Sequence, residues 1–246
     1  MSDTRDHSHE IEIDAPPDAV WRALTDEEEL TRWYAEHATV EPRPDGLYRV
    51  SWGDLGEATA RIDVCEPPRR LRLVEDQAEA TPARDAPMVE EWTLSTRGGK
   101  TFLRLVHSGI PSGADWDAFY DGTDVGWELF LAALRHYLER HAGKPRHASV
   151  LVASIPLPAT EAWAALTGED GYAAAGLGGE ILRAVPGRKA LLTSVAALDD
   201  GLLELDVTSR DGGSRVYSML AAFGDTQAAA HAEAATRWRE HVATLA

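Results

Sequence analysis

Four side chains that could carry acid–base chemistry lie on two neighbouring predicted strands: Glu90, Glu91, Arg104 and His107. Carboxylates and imidazoles transfer protons best when their surroundings bring the pKa near the working pH. Successive side chains of a strand point to opposite faces, so only an inward-facing subset of the four can act together. We favour the competing interpretation for His107, a structural histidine whose ring nitrogens are satisfied by hydrogen bonds.

Motifs of nucleophilic or metal catalysis are missing from the sequence. There is no nucleophile elbow and no cysteine paired with a nearby histidine. His136 and His141 are five positions apart and do not share a helix face, while His7 and His9 fall in a terminus expected to fray. The sequence therefore predicts no catalytic residue, no metal ligand and no cofactor.

Composition and charge limit the classes of partner. The formal net charge of -17 repels phosphate backbones, which disfavours nucleic-acid binding. No apolar run has the roughly 18 residues of a membrane span, and the polar N-terminus carries no signal-peptide core. The single cysteine, Cys65, cannot form an internal disulfide. These features predict a cytoplasmic protein with no membrane span.

A repeated stretch indicates two domains. Residues 13–25 begin with Ile, carry Pro near a helix start and end in Ala-Leu-Thr, and residues 155–167 repeat this pattern. Self-similarity of this kind is the signature of a duplicated unit. We predict a complete domain at 1–142, a linker at 143–147 and a degenerate second copy at 148–246.

The first copy alternates polar and apolar residues over short runs, which predicts strands. The predicted strands are His9–Ile13, Ala38–Glu41, Leu47–Trp52, Glu57–Cys65, Arg70–Glu75, Met88–Ser95 and Thr101–Ser108. Turn residues between them indicate an antiparallel meander, and Gln77–Pro87 is predicted to be a mobile loop. The second copy repeats the order but lacks the residues of about two strands.

A long amphipathic helix is predicted over Trp116–His141, because large apolar residues recur there at helical spacing. Gly122 and Gly126 weaken its first part, so its secure portion is expected to start near Val125. A helix with such an apolar face must lie against a sheet. A closing helix is predicted over Thr226–Leu245 of the second copy.

The Ala-Pro-x-x-x-Val-Trp-x-Ala-Leu-Thr stretch, Trp33-Tyr34, the meander and the Gly126-Trp127 entry to the long helix resemble the START-like (SRPBCC) helix-grip superfamily. The similarity is greatest to its heat-shock-ATPase-activator-homologue branch. It implies an α+β fold of two tandem helix-grip domains, each a curved antiparallel sheet wrapped around a long C-terminal helix, the second with a shortened sheet.

The resemblance also implies a cavity between sheet and helix, and an apolar cavity with a few polar groups is a usual ligand site. The expected ligand is a hydrophobic small molecule, polyketide-like or polyene-like, in bacterial natural-product biosynthesis or self-resistance. A cyclase or aromatase using the same cavity, and a co-chaperone-like interaction module, remain alternatives, and the oligomeric state stays open. The candidate lining residues are Trp33, Trp52, Trp92, His107, Tyr120, Trp127, Phe130, Leu131, Tyr172, Tyr217 and Trp238.

Overall fold

The computed structural model of the protein describes residues 3–75, 84 and 86–246. The chain divides into two units, Met1–Gly143 and Lys144–Ala246. Residues 77–83 and 85, which belong to the loop predicted over Gln77–Pro87, lie outside the described residues.

A seven-stranded antiparallel sheet forms the base of the first unit. Its strands are β1 (Thr4–Ile13), β2 (His37–Val40), β3 (Leu47–Ser51), β4 (Glu57–Glu66), β5 (Arg70–Glu75), β6 (Val89–Arg97) and β7 (Lys100–Pro111). Their order across the sheet is β1-β7-β6-β5-β4-β3-β2. Hairpin-type links place consecutive strands side by side, and β1 closes against the last strand of the meander.

Alternation along β6 and β7 decides which side chains enter the interior. Trp92 on β6 is 5% exposed, and Leu103 and Leu105 on β7 are fully buried. Successive residues of a strand point to opposite faces. Glu90 and His107 are in step with these residues and therefore lie on the same inner face.

The first strand is longer than its predicted start at His9. β1 pairs with β7 from Thr4, opposite Pro111, to Ile13, opposite Thr101. The expectation of a fraying terminus at His7 and His9 was wrong, because this strand is hydrogen-bonded along β7 and the His7 side chain is only 4% exposed.

Two short helices follow β1: α1 (Pro17–Thr25) and α2 (Glu27–Trp33). Pro17 is tolerated at the start of α1, where its missing N–H would have no helical partner. The Asp26 side chain accepts a hydrogen bond from the Glu29 N–H at 3.0 Å and so caps α2. The Trp33 indole N–H donates to the Ala23 carbonyl at 2.8 Å, which joins the two helices.

The long helix α3 (Ala114–His136) begins eleven residues before the expected secure start at Val125 and continues into a π-helical turn, Tyr137–His141. Tertiary contacts outweigh the low helix propensity of Gly122 and Gly126. Trp116, in the first turn, is 5% exposed and packs with Met88 and Ile110.

The second unit repeats the order of elements with a smaller sheet. Its elements are β8 (Arg146–Ile155), α4 (Ala159–Thr167), β9 (Ile181–Ala184), β10 (Ala190–Val195), β11 (Gly201–Arg210), β12 (Gly213–Phe223) and α5 (Ala228–Ala243). The strand order β8-β12-β11-β10-β9 is that of the first unit without two strands. The predicted fold class is confirmed.

Apolar side chains fill the interior of the second unit. Leu203 and Leu205 of β11 pack with Leu166 of α4 and Trp238 of α5 in one buried cluster. Among the described residues, no helix of either unit is long and apolar enough to cross a membrane.

Candidate functional site

A buried polar cluster lies on the inner face of the first sheet. Glu90 on β6 is directly opposite His107 on β7, a position that places their Cβ atoms about 5 Å apart. Glu75, the last residue of β5, brings its Oε1 to 2.8 Å from His107 Nε2. Both atoms are buried. Within the described part of the chain, neither makes a hydrogen bond of good geometry, so the two atoms are close without the alignment that a hydrogen bond requires.

Trp127 of α3 fixes the proton position on His107. Its indole N–H donates to His107 Nδ1 at 3.1 Å. An indole nitrogen can only donate, so Nδ1 must accept, and a neutral His107 ring carries its proton on Nε2, towards Glu75. While Trp127 is in place, Nδ1 is not available as a base.

The electrostatics of the cluster favour protonated forms. Burial and the neighbouring Glu75 carboxylate raise the pKa of Glu90 to about 7. For His107, burial lowers the pKa, but the close Glu75 carboxylate and the charge of Glu90 outweigh it, and the pKa is raised. Near neutral pH Glu90 can therefore hold or release a proton.

Two tyrosines lie close to Glu90. Tyr48 on β3 is 8% exposed, and Tyr34 follows directly after α2. Burial, followed by the charge of Glu90, raises the pKa of both phenols. Both hydroxyls therefore stay protonated at physiological pH and can donate hydrogen bonds.

Aromatic rings continue from the polar cluster along the interior. Trp92 is edge-on to Trp127 at 5.5 Å between ring centroids, and Trp127 is edge-on to Phe130 at 6.1 Å. Tyr34 is edge-on to both Phe130 and Trp52, at 5.2 Å in each case. These rings form one connected aromatic series. The end of the series that contains Trp92 and Trp127 lies at the polar cluster.

The structure brings together Trp33, Trp52, Trp92, His107, Trp127 and Phe130 from the predicted lining set. Trp33 joins the series by stacking on Tyr34 at 4.9 Å. Tyr120 lies apart, with its ring 4.0 Å from that of His7, and Leu131 is buried on α3 at 2% exposure.

Sequence reasoning missed Glu75, Tyr34 and Tyr48 as members of the cluster. A signal existed for Glu75, because it is in step with the buried Leu71 and Leu73 on the same strand. Tyr34 was named only as part of the Trp33-Tyr34 pair that carries the family resemblance.

Among the four acid–base candidates, Glu90 and His107 form the inward-facing subset. Glu91 lies on the other face, where it forms an ion pair with Arg70 at 2.8 Å. Arg104 is exposed and lies 3.3 Å from the Ser8 hydroxyl.

The family model described as Activator of Hsp90 ATPase homolog 1-like protein (AHSA1) matches residues 14–139. The chain belongs to this family. CalU16 from Micromonospora echinospora is 30% identical, with 55% of this chain and 74% of that chain covered and a TM-score of 0.45. The protein MLL2253 from Mesorhizobium loti is 27% identical, with 55% and 97% covered and a TM-score of 0.49.

Two further solved structures, DynU16 and BexL, align over both units. DynU16, from the dynemicin biosynthetic locus, is 20% identical, with 98% of this chain and 95% of that chain covered and a TM-score of 0.49. No curated protein matches the sequence. The predicted resemblance to the activator-homologue branch is confirmed, and every member of the polar cluster falls within the AHSA1 match.

The second unit lies outside the AHSA1 match, and its three predicted lining residues do not share one space. Tyr172 and Trp238 belong to the buried apolar cluster, with the Trp238 indole N–H donating to Ser218 Oγ at 2.8 Å. Tyr217 follows Val216, a residue of that cluster, and points to the opposite face of β12.

A groove of about 540 Å³ opens on the surface of the second unit. None of the predicted lining residues contributes to it. It is lined by Pro156, Pro158, Ala159, Thr160, Lys189, Ser209, Gly212 and Gly213.

Proposed function

We propose that the first unit binds a hydrophobic small molecule between its sheet and α3. The observation that carries the proposal is the buried pair Glu75 and His107, whose facing atoms lack well-aligned hydrogen bonds beside an aromatic series. Burying a carboxylate beside an imidazole costs desolvation energy, and titratable groups with perturbed pKa values cluster at functional sites.

Partial accessibility of deeply placed side chains supports a cavity at this position. Tyr34 and Glu90 are only half-buried by surface area, although burial is the largest cause of their raised pKa values. We take this partial accessibility as support for a space between the sheet and α3 that a ligand can enter. An apolar space with convergent polar groups is the usual form of a small-molecule site.

The lining indicates which chemistry would fit. Edge-on rings such as Trp92, Trp127 and Phe130 favour a planar, conjugated body. Glu90 and Tyr34 suit hydroxyl or keto groups at one end of it, since a carboxyl group that can hold or release its proton and a phenol can both donate and accept hydrogen bonds. A polyketide-like or polyene-like ligand meets both requirements, and the setting that we propose is bacterial natural-product biosynthesis or self-resistance.

A second candidate function is acid–base catalysis on such a ligand, of the cyclase or aromatase type. The observation in its favour is Glu90, whose pKa of about 7 matches the requirement for a general acid or base at neutral pH. Glu90→Gln separates the two functions. If the protein is an enzyme, Glu90→Gln loses turnover but still binds the ligand. If the protein only carries the ligand, the parent protein already forms no product.

A binding measurement tests the proposal. The purified chain is titrated with a hydroxyanthraquinone and with a polyene, and complexes are followed by native mass spectrometry and tryptophan fluorescence. We expect a 1:1 complex, and we expect Phe130→Ala to weaken it about tenfold or more, because a buried aromatic contact is worth roughly 1.5–3 kcal/mol. Phe130 is suited to this test because it contacts both Tyr34 and Trp127.

Phe102→Ala is the matched control. Phe102 belongs to the same unit but lies on the outer face of β7 under the Arg97 guanidinium, so its removal should leave binding unchanged. Absence of any complex with both probes, or equal weakening by both variants, would refute binding in this interior.

A further inference from the structure

Two histidines of β1 and one carboxylate of α3 converge beside the polar cluster. His7 Nδ1 lies 3.3 Å from Asp124 Oδ1, and His9 Nε2 lies 3.2 Å from the same oxygen. All three atoms are within 4.8 Å of one another. Residues i and i+2 of a strand share a face, which explains how a His-x-His sequence presents both rings to the helix.

The hydrogen bonds of His7 leave Nδ1 free to act as a ligand. His7 Nε2 is 3.0 Å from the Tyr120 carbonyl and 3.2 Å from Thr123 Oγ1. A carbonyl can only accept, so Nε2 carries the proton and Nδ1 of the neutral ring has an unshared electron pair. Nδ1 and the Asp124 carboxylate are then two acceptors facing each other, an arrangement that calls for a cation between them.

His9 provides a second, independent observation. Its Nε2 is buried and, within the described ranges, makes no hydrogen bond of acceptable geometry, although Asp124 Oδ1 is close. A buried ring nitrogen without a hydrogen bond is uncommon. It points to the same position that His7 Nδ1 and Asp124 Oδ1 face.

We propose that His7 Nδ1, His9 Nε2 and Asp124 Oδ1 form a binding site for a divalent transition-metal ion of the Zn²⁺ type. Zinc bonds to histidine and carboxylate atoms are about 2.0–2.1 Å long, so neighbouring ligand atoms of a tetrahedral site are about 3.3 Å apart. The two measured separations, 3.2 and 3.3 Å, agree with that edge length.

The surroundings of the three ligands fit a metal site with one open position. The Tyr120 carbonyl and Thr123 hydroxyl hold the His7 ring from behind, as outer partners of metal-bound histidines commonly do. The Asp124 side chain is 44% exposed, so water can complete the coordination. Arg5, the nearby cation, is neutralised by Asp117 at 2.7 Å.

A metal at this position would fasten β1 to the middle of α3 next to the proposed ligand space. His7 is directly opposite His107 in the β1–β7 pairing, and their ring centroids are 6.4 Å apart. The bound metal would therefore hold α3 against the β1 edge of the sheet, whose inner face carries the polar cluster. It does not depend on the proposed small-molecule binding and is tested without a ligand.

Metal binding is measured on the full chain without a histidine tag, after treatment with EDTA. Competition with a chromophoric chelator should give one tightly bound Zn²⁺ per chain, with Kd below about 1 μM, and Co²⁺ should give the visible absorption of a four-coordinate ion. His9→Ala and Asp124→Asn should each weaken Zn²⁺ binding at least 100-fold. Both residues are partly accessible, so these variants should fold, which circular dichroism checks.

Two controls match the chemistry of the variants. Asp115→Asn removes an exposed carboxylate from the same helix, and His37→Ala removes an exposed histidine of β2, and both should retain Zn²⁺ affinity. The proposal fails if the parent binds no Zn²⁺ tighter than about 10 μM. It also fails if His9→Ala and Asp124→Asn bind as the parent does, or if the controls lose as much affinity.

Discussion

Replacement of Trp127 by alanine is expected to lower the free energy of unfolding by about 3–5 kcal/mol, the usual cost of removing a large buried aromatic side chain. Trp127 is 6% exposed and contacts Trp92, Phe130 and His107. The loss should exceed the apolar cost alone, because His107 Nδ1 also loses its donor at 3.1 Å. Urea denaturation, followed by circular dichroism at constant pH, measures the change.

Trp127→Phe separates the hydrogen bond from the packing. Phenylalanine keeps most of the apolar contact but has no N–H, so we expect a smaller loss of about 1–3 kcal/mol from the unpaired nitrogen of His107. The ¹⁵N shifts of the His107 ring should then report a mixture of neutral tautomers in place of the Nε2–H form alone.

Trp238→Ala is the matched control for Trp127→Ala. Trp238 is 2% exposed in the second unit and donates its own indole hydrogen bond, so its removal should destabilise the chain by a similar amount. It should leave binding of hydroxyanthraquinone unchanged, whereas Trp127→Ala should abolish it. Equal losses of binding would show that the Trp127 effect is one of stability only.

Local alternation predicts much of the first sheet but not its tertiary contacts. The pattern places Glu90 in step with Trp92 and His107 in step with Leu105, and the structure confirms that both pairs face inwards. The contact between His107 and Glu75 depends on three strands lying in one register. Turns and packing set that register, so the residue pattern of a single strand does not predict it.

Long-range packing also explains why β1 starts before His9 and why α3 is regular before Val125, where its secure portion was expected to start. The first residues of β1, Thr4–Ser8, contain no apolar side chain, so their pattern does not indicate a strand. The strand forms because β7 supplies its backbone partners and α3 covers His7. Likewise α3 extends through Gly122 and Gly126 because Trp116 packs with Met88 and Ile110, residues that are near it only in the fold.

Glu90→Gln is expected to change how stability depends on pH. The pKa of Glu90 is about 7 in the folded protein against an ordinary value of 4.5, so the folded state keeps a proton that the unfolded state has lost. Stability therefore falls as pH rises from about 4.5 to about 7, by an amount on the order of 3 kcal/mol for this group.

The glutamine side chain does not titrate, so the variant should escape the part of this fall that Glu90 causes. Near pH 4.5 the parent and Glu90→Gln should have similar stability, and at pH 8 the variant should be the more stable by up to about 3 kcal/mol. Thermal and urea unfolding measured at half-unit steps between pH 4.5 and 8.5 give the two curves. Glu204, whose pKa is also raised to about 7, is present in both proteins and cancels in the difference.

Glu91→Gln supplies the control, since Glu91 is the next residue of the same strand and is paired with Arg70 on the outer face. Its replacement should not make the chain more stable at pH 8, because it relieves no buried charge and removes an ion-pair partner. If the curves of Glu90→Gln and the parent run parallel across the whole range, Glu90 is ionised without penalty, and it then loses its place as the acid–base group of the cluster. If instead the two stability curves converge at acid pH, Glu90 is the group in this interior that gains and loses the proton.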